Sequence, residues 1–243
     1  MEEEVVNVAH RLYEILRRIK EYEGTNAYSI LGEIFDIEEE ERAEIILAYG
    51  GIFSLIEETK ENLNNIKGIQ KKKYLLALSE VTEALTRISF EVEGHIGDYK
   101  RNISIIALER IDACGDLLNQ GMEEFKVSKE VLEEFLRDID CLISRVHESI
   151  MSDTLKVVLL DNLHKIKDSI LNYQLRGSRG IKNALDSSIG AMMLSTEGPK
   201  TEEEKNIFKS IFELIGHFNE MVTFGKSVTI GIAPIINHFL ENR

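Results

Sequence analysis

The long absence of proline constrains this chain more than any other feature of its sequence. The first proline is Pro199, and the second, which is also the last, is Pro234. Proline breaks helices because it lacks an N–H donor and clashes with the preceding turn. The proline-free stretch is rich in Glu, Lys, Leu and Ile. It therefore predicts an all-α fold, a multi-helix bundle of about eight to ten antiparallel long helices joined by short turns that contain glycine.

Apolar residues at spacings of three and four predict the individual helices, and polar residues predict where several of them begin. Ser128 and Ser152 are expected to cap two of the later helices. Thr201 and Glu204 fit a capping box, in which each side chain accepts from the other residue's backbone N–H. The one clear linker is residues 195–200. It divides the predicted fold into a helical bundle at 1–195 and a helical pair at 201–243. The pair is expected to pack on the bundle, either as a separate domain or as part of the same domain.

Composition and charge limit the classes of function. The chain has 243 residues, of which 43% are hydrophobic and 30% charged, with a net charge of −14. This charge opposes a phosphate backbone, so nucleic acid is not expected as the main ligand. The acidic start and the lack of a run of about 18 apolar residues predict a cytoplasmic protein with no membrane partner, and the residue usage suits a bacterium. Cys114 and Cys141 are predicted to be buried free thiols.

The sequence contains no convincing catalytic, cofactor or metal motif. Residues 225–227, Gly-Lys-Ser, end like a phosphate-binding loop, but Glu220 stands where such a loop needs glycine. Glu213 and His217 share a helical face, yet no Glu-x-x-His or His-Glu-x-x-His motif occurs. No Gly-x-Ser-x-Gly nucleophile motif occurs either. We therefore expect no catalytic residues, no cofactor and no metal, and the question of enzymatic activity stays open with a preference for none.

A basic turn near residue 180 is the first candidate binding site. Residues 155–182 carry six bases and two acids, a net charge of +4 in an acidic protein. Backbone N–H groups at a helix start, together with nearby arginines, favour a phosphate or a carboxylate. The candidate anion- or partner-binding residues are Arg176, Gly177, Ser178, Arg179, Gly180 and Lys182.

The same turn also has a purely structural interpretation. Gly177 would end one helix in the left-handed conformation and Ser178 would cap the next helix. Gly180, Ala184 and Ser188 would then line a small-residue stripe that lets a neighbouring helix approach closely.

The acidic N-terminal third is the second candidate surface. Through residue 66 it has sixteen acids and six bases, a net charge of −10. Five acids are concentrated at its centre, where they are expected to form the first turn of a helix that runs to about Ile66, because a helix N-terminus favours negative charge. They are Asp36, Glu38, Glu39, Glu40 and Glu41. This run is either a solvated face or the docking surface for a basic protein.

These observations favour a non-catalytic protein that binds another protein through its acidic surface. An immunity-like, antitoxin-like or accessory subunit would fit, acting by covering a basic surface of its partner. The alternative is an effector or enzyme that binds a phosphorylated ligand or nucleic acid at residues 176–182. A homo-oligomeric structural protein is a third possibility.

Overall fold

The computed structural model describes residues 5–24, 26–90, 101–119, 124–195 and 198–222. Within these ranges the protein has nine helices, which confirms the prediction of an all-α multi-helix bundle. Two short extended segments, β1 (Val5–Val6) and β2 (Glu124–Phe125), have two residues each. None of the described helices combines the length and the apolar character that a bilayer crossing requires.

The chain divides into two compact units, Met1–Glu124 and Phe125–Arg243. The sequence analysis did not predict a boundary at this place. The predicted division into residues 1–195 and 201–243 stays a prediction, since residues 223–243 lie outside the described ranges. So do residues 225–227, whose motif was rejected above.

The described residues of the first unit form five helices with stated bounds, and several of them begin at a polar side chain. They are α1 (Val8–Glu21), α2 (Ala27–Phe35), α3 (Arg42–Asn65), α4 (Lys72–Leu85) and α5 (Ile105–Leu118). The side chains of Asn7, Asn26 and Ser104 accept hydrogen bonds from backbone N–H groups in the first turns of α1, α2 and α5. Such caps satisfy donors that the helix itself leaves unpaired. α1 packs against α2, α3 and α5, and α4 packs against α5.

α3 is the helix that differs most from its prediction. It begins at Arg42 and continues through Gly50 and Gly51 as one helix to Asn65. The expectation that residues 36–41 form its first turn is wrong, because Asp36 ends α2 with φ 60° and the acids that follow precede α3. This places the acidic run in a loop between two helices.

In the second unit, the described residues form four helices, α6 (Lys129–Glu148), α7 (Asp153–Leu171), α8 (Tyr173–Leu194) and α9 (Glu202–Val222). Ser128 and Ser152 cap α6 and α7 as predicted. The capping box is also confirmed. The Thr201 N–H donates to Glu204 Oε2 at 2.8 Å, and the Glu204 N–H donates to Thr201 Oγ1 at 3.2 Å.

The core of the second unit is built from apolar side chains of all four helices. Phe135 on α6 meets Phe218 on α9 edge to face, with ring centroids 4.6 Å apart. α7 and α8 form the most extensive helix pair, and Ile166, Ile181 and Leu185 are buried in this core. This core lies within one unit.

Candidate functional site

The acidic loop leaves α2 through a tight reversal of the backbone. Asp36 adopts a left-handed conformation, with φ 60° and ψ 44°, and its N–H bonds to the carbonyl of Gly32. The Ile37 N–H donates to the same carbonyl at 2.9 Å. A Cβ on Gly32 would lie 2.7 Å from the Ile37 carbonyl oxygen, so glycine allows the loop to fold back here. Residues 38–41 follow this reversal and are all exposed.

Most carboxylates of this loop have no counter-ion in the fold. Within the described ranges, Glu38, Glu40 and Glu41 form no ion pair. Glu39 accepts a hydrogen bond from Ser29 Oγ at 3.0 Å. Arg42 is the nearest base in the sequence, and its guanidinium carbon lies 4.9 Å from the centre of the Tyr28 ring. Among the described residues, Glu38, Glu40 and Glu41 therefore have no counter-ion.

The loop leads directly into a helix that is apolar on two faces. The inner face of α3 carries Ile45, Ile52 and Ile56, all fully buried. On the opposite face, Leu47 is 75% exposed and Ile46 is 44% exposed. The apolar side chains of a helix normally face the core. Here the described residues cover only one side.

A stripe of small and apolar residues runs along the outside of α3. Ala43, Leu47, Gly50 and Ser54 are exposed and follow one another at spacings of four, three and four. This spacing places them on one side of an α-helix. A Cβ built on Gly50 would meet no atom within 4 Å, so the stripe is open to solvent at its midpoint.

Acidic residues border both ends of the stripe. Residues 38–41 precede it, and Glu57 and Glu61 follow it and are exposed. Lys60 Nζ pairs with Glu57 Oε1 at 2.7 Å. We call this surface the α3 outer face and define it as Ala43, Ile46, Leu47, Gly50 and Ser54, bordered by residues 38–41, Glu57 and Glu61.

The inner side of α3 is held firmly. The Tyr49 ring packs edge to face on Phe53 and Phe90, with centroids 5.4 and 5.0 Å away. Its hydroxyl donates to the Leu85 carbonyl. Burial raises the pKa of Tyr49, so the phenol stays protonated. The outer face is therefore presented by a helix whose position is fixed from behind.

The basic turn has a different structure, because the fold uses several of its residues. Gly177 has φ 62° and ψ −173°, a conformation that is essentially restricted to glycine. The left-handed conformation predicted for Gly177 is not found, because φ is positive but ψ lies far from the left-handed helical value. One helical turn, residues 173–176, precedes this bend. Ser178, which follows Gly177 in the sequence, is buried.

The side chains of the basic turn do not converge on one point. Lys182 Nζ pairs with Asp186 Oδ2 at 2.6 Å. The Arg176 side chain occupies the space that a Cβ on Gly180 would need. Arg176 and Arg179 are exposed and form no ion pair in the part of the chain that the structure describes. Two arginines thus remain available for an anion.

The small-residue stripe of α8 is used for packing at one position. Ser188 is fully buried, and its hydroxyl donates to the carbonyl of Asn162 on α7 at 3.5 Å. Gly180 is close to the side chain of Arg176. The interpretation of close helix packing is therefore supported at Ser188, whereas the close contact at Gly180 lies within α8 itself.

A polar cluster between α1 and α5 was not predicted. Asn7 Nδ2 donates to the Gly115 carbonyl at 2.8 Å and to Asn119 Oδ1 at 2.5 Å. The His10 imidazole occupies the space where a Cβ on Gly115 would lie, and its Nε2 is 3.5 Å from Asp116 Oδ1. No sequence pattern indicates this cluster, because 108 positions separate Asn7 from Gly115. It ties two helices together.

A groove between α6 and α9 contains the second cysteine. Its volume is about 380 Å³, and Asp138, Cys141 and His217 are among its lining residues. The prediction of two buried thiols is right for Cys114 and wrong for Cys141, which lies one helix position away from the buried Leu142. Burial raises the pKa of Cys114 to about 11. The thiol of Cys114 is therefore protonated and unreactive near neutral pH.

The groove has none of the geometry of a thiolate or metal centre. Cys141 and His217 share no hydrogen bond in the described parts of the chain. Among those residues, no group of three His, Cys, Asp or Glu side chains is arranged to hold a metal ion. Arg145 Nη1 donates to Ser210 Oγ at 3.1 Å across the two helices.

Comparison of the chain with protein-family models, with curated proteins and with solved structures finds no match.

Proposed function

We propose that this protein is a non-catalytic binding protein that docks a basic partner protein on the α3 outer face. The observation that supports the proposal is the juxtaposition of exposed Leu47 and open Gly50 with carboxylates that have no counter-ion in the described residues. An immunity-like, antitoxin-like or accessory subunit of the bacterial cytoplasm would work in this way. It would cover a basic surface of its partner.

The two components of the surface have different physical roles. Burying a leucine side chain contributes about 1.5–3 kcal/mol, so the apolar stripe supplies affinity. The acidic border attracts a basic surface from a distance and speeds association.

The experiment starts with a photo-crosslinking amino acid at position 54, which is exposed on the outer face. The crosslinked protein is identified from native cells, purified and titrated with the whole chain. We expect the variant E40Q/E41Q to slow its association and to flatten the salt dependence of the rate, with an unchanged melting temperature. The matched control is E133Q/E134Q, which neutralises two exposed acids of α6. An acidic partner, or an equal effect of both variants, would contradict the proposal.

Anion binding at the basic turn is a second candidate, favoured by the exposure of Arg176 and Arg179 without an ion pair in the described ranges. It is tested by thermal shift with inorganic phosphate, ATP and RNA. A ligand that binds only the folded state raises the melting temperature in proportion to ln(1 + [L]/Kd). The second candidate requires a rise that R176Q/R179Q removes. The main proposal expects no rise.

A further inference from the structure

We infer that the occupant of the α3 outer face is an α-helix of the partner, apolar in its middle and basic at both ends, that lies along α3 with a side chain seated over Gly50. This inference rests on the proposed function and specifies the partner. It concerns the geometry of docking, whereas the proposed function concerns the class of partner.

The shape of the surface favours a helix as the occupant. Ala43, Leu47, Gly50 and Ser54 lie at alternating spacings of four and three, so they form a row along α3. Helices pack by placing the side-chain ridges of one into the grooves of the other, at axis separations of about 8–10 Å. Gly50 is a gap in this row with no atom within 4 Å of its Cβ position. A partner side chain can enter there, while Ile46 and Leu47 cover its flank.

The charges at the two ends define the ends of the occupant. Glu41 and Glu57 are sixteen residues apart, about 24 Å at 1.5 Å per helical residue. Residues 38–41 form one acidic end. Glu57, which also pairs with Lys60, and Glu61 form the other end. A complementary helix has lysine or arginine near each end, about sixteen residues apart, and apolar residues between them.

The same charges argue against a second copy of this chain as the occupant. If two outer faces paired in parallel, residues 38–41 of both copies would meet. If they paired antiparallel, residues 38–41 would meet Glu57 and Glu61. Both arrangements bring carboxylates together, and like charges across an interface are unfavourable. A heterologous, basic helix satisfies both ends.

Gly50 provides a sharp test, because its substitution changes the surface without disturbing the fold. Replacing a helical glycine at an open position removes a cost of about 0.5–1 kcal/mol, so G50L is expected to melt at or above the parent temperature. It also fills the gap over which the partner side chain would sit. G190L is the matched control, since a Cβ on Gly190 likewise meets nothing within 4 Å.

The probe is a set of synthetic 20-residue helical peptides with a Leu and Ala stripe and two lysines at each end, in all registers of the stripe. Binding to the whole chain is measured by fluorescence anisotropy at low salt. We expect at least one peptide to bind, G50L to weaken it at least about tenfold, and G190L to leave it unchanged. A peptide with glutamates in place of the lysines is expected not to bind.

Several results would overturn the inference. Equal binding by parent and G50L would exclude docking over Gly50, and failure of every lysine peptide would exclude the helical occupant. Neither result decides the proposed function, which E40Q/E41Q tests with the crosslinked partner. Concentration-dependent dimerisation of the parent that G50L abolishes would show a second copy in place of the basic helix.

Discussion

The α3 outer face and the basic turn at residues 176–182 both stand out in the sequence by their charge, but their structures differ. In the turn, Gly177 forms a bend, Ser178 is buried and Lys182 is paired with Asp186. On the outer face, Leu47 and Gly50 contact nothing that would explain them within the described residues. Charge alone therefore does not identify a binding surface. Exposed residues that make no contact within the fold are better indicators of one.

The two regions also differ in what their residues contribute to the stability of the fold. An exposed leucine buries little surface on folding. Glu38, Glu40 and Glu41 form no ion pair in the described ranges, so their charges add repulsion within an already acidic chain. In the turn, Gly177 forms the bend, Ser178 is buried and Lys182 forms an ion pair, whereas Arg176 and Arg179 are exposed. The following predictions test whether the turn serves the fold and the outer face does not, beginning with the largest effect.

The largest difference is expected between Ser188, which lies on the same helix as the basic turn, and Ser54 of the outer face. Ser188 is fully buried against α7, so S188L overpacks the interface and should lower the free energy of unfolding by about 1–3 kcal/mol or more. Ser54 is exposed on the outer face, and S54L should change this free energy by no more than about 0.5 kcal/mol. Urea denaturation of both variants measures the difference. Similar values would mean that Ser54 also packs against part of the chain.

Two glycines should give effects of opposite sign. Gly177 has φ 62° and ψ −173°, so G177A forces alanine into a conformation that costs about 1–3 kcal/mol. Gly50 lies in the helical, open middle of α3, so G50A should stabilise the protein by about 0.5–1 kcal/mol. Thermal melts followed by circular dichroism measure both. If G50A destabilised the protein, the outer face would be covered, and the comparison would fail.

The sequence predicted those features that depend on neighbouring residues. Helical periodicity gave the all-α fold, and the caps at Ser128, Ser152 and Thr201 are satisfied within a few residues of the chain. The start of α3 was predicted too early. Favourable helix-dipole interactions could place the acids in its first turn, but the Gly32 carbonyl holds the chain in a reversal instead.

Features that depend on distant residues could not be predicted. The outer face of α3 has apolar residues that helical periodicity did not assign to a packing partner. Only the packed structure shows which of the two apolar faces is covered. Cys141 and the buried Leu142 are adjacent in the sequence, so their side chains point about 100° apart around the helix axis. The sequence there mixes apolar and polar residues, and its periodicity does not show which of the two is buried. The Asn7–Gly115 contact joins residues that are 108 positions apart.

The smallest effect is expected from single charges of the two regions. Lys182 and Asp186 form an exposed i,i+4 pair, with side chains 45% and 52% exposed. K182Q should therefore cost only about 0.3–0.5 kcal/mol, and 1 M salt should abolish the difference by screening. Glu40 has no counter-ion in the described residues, so E40Q should leave the free energy of unfolding unchanged or raise it slightly by removing repulsion from its acidic neighbours. Urea denaturation at low and high salt measures both. A salt-sensitive loss in E40Q as large as that in K182Q would show that the fold itself pairs Glu40, and the acidic loop would then belong to the fold as the basic turn does.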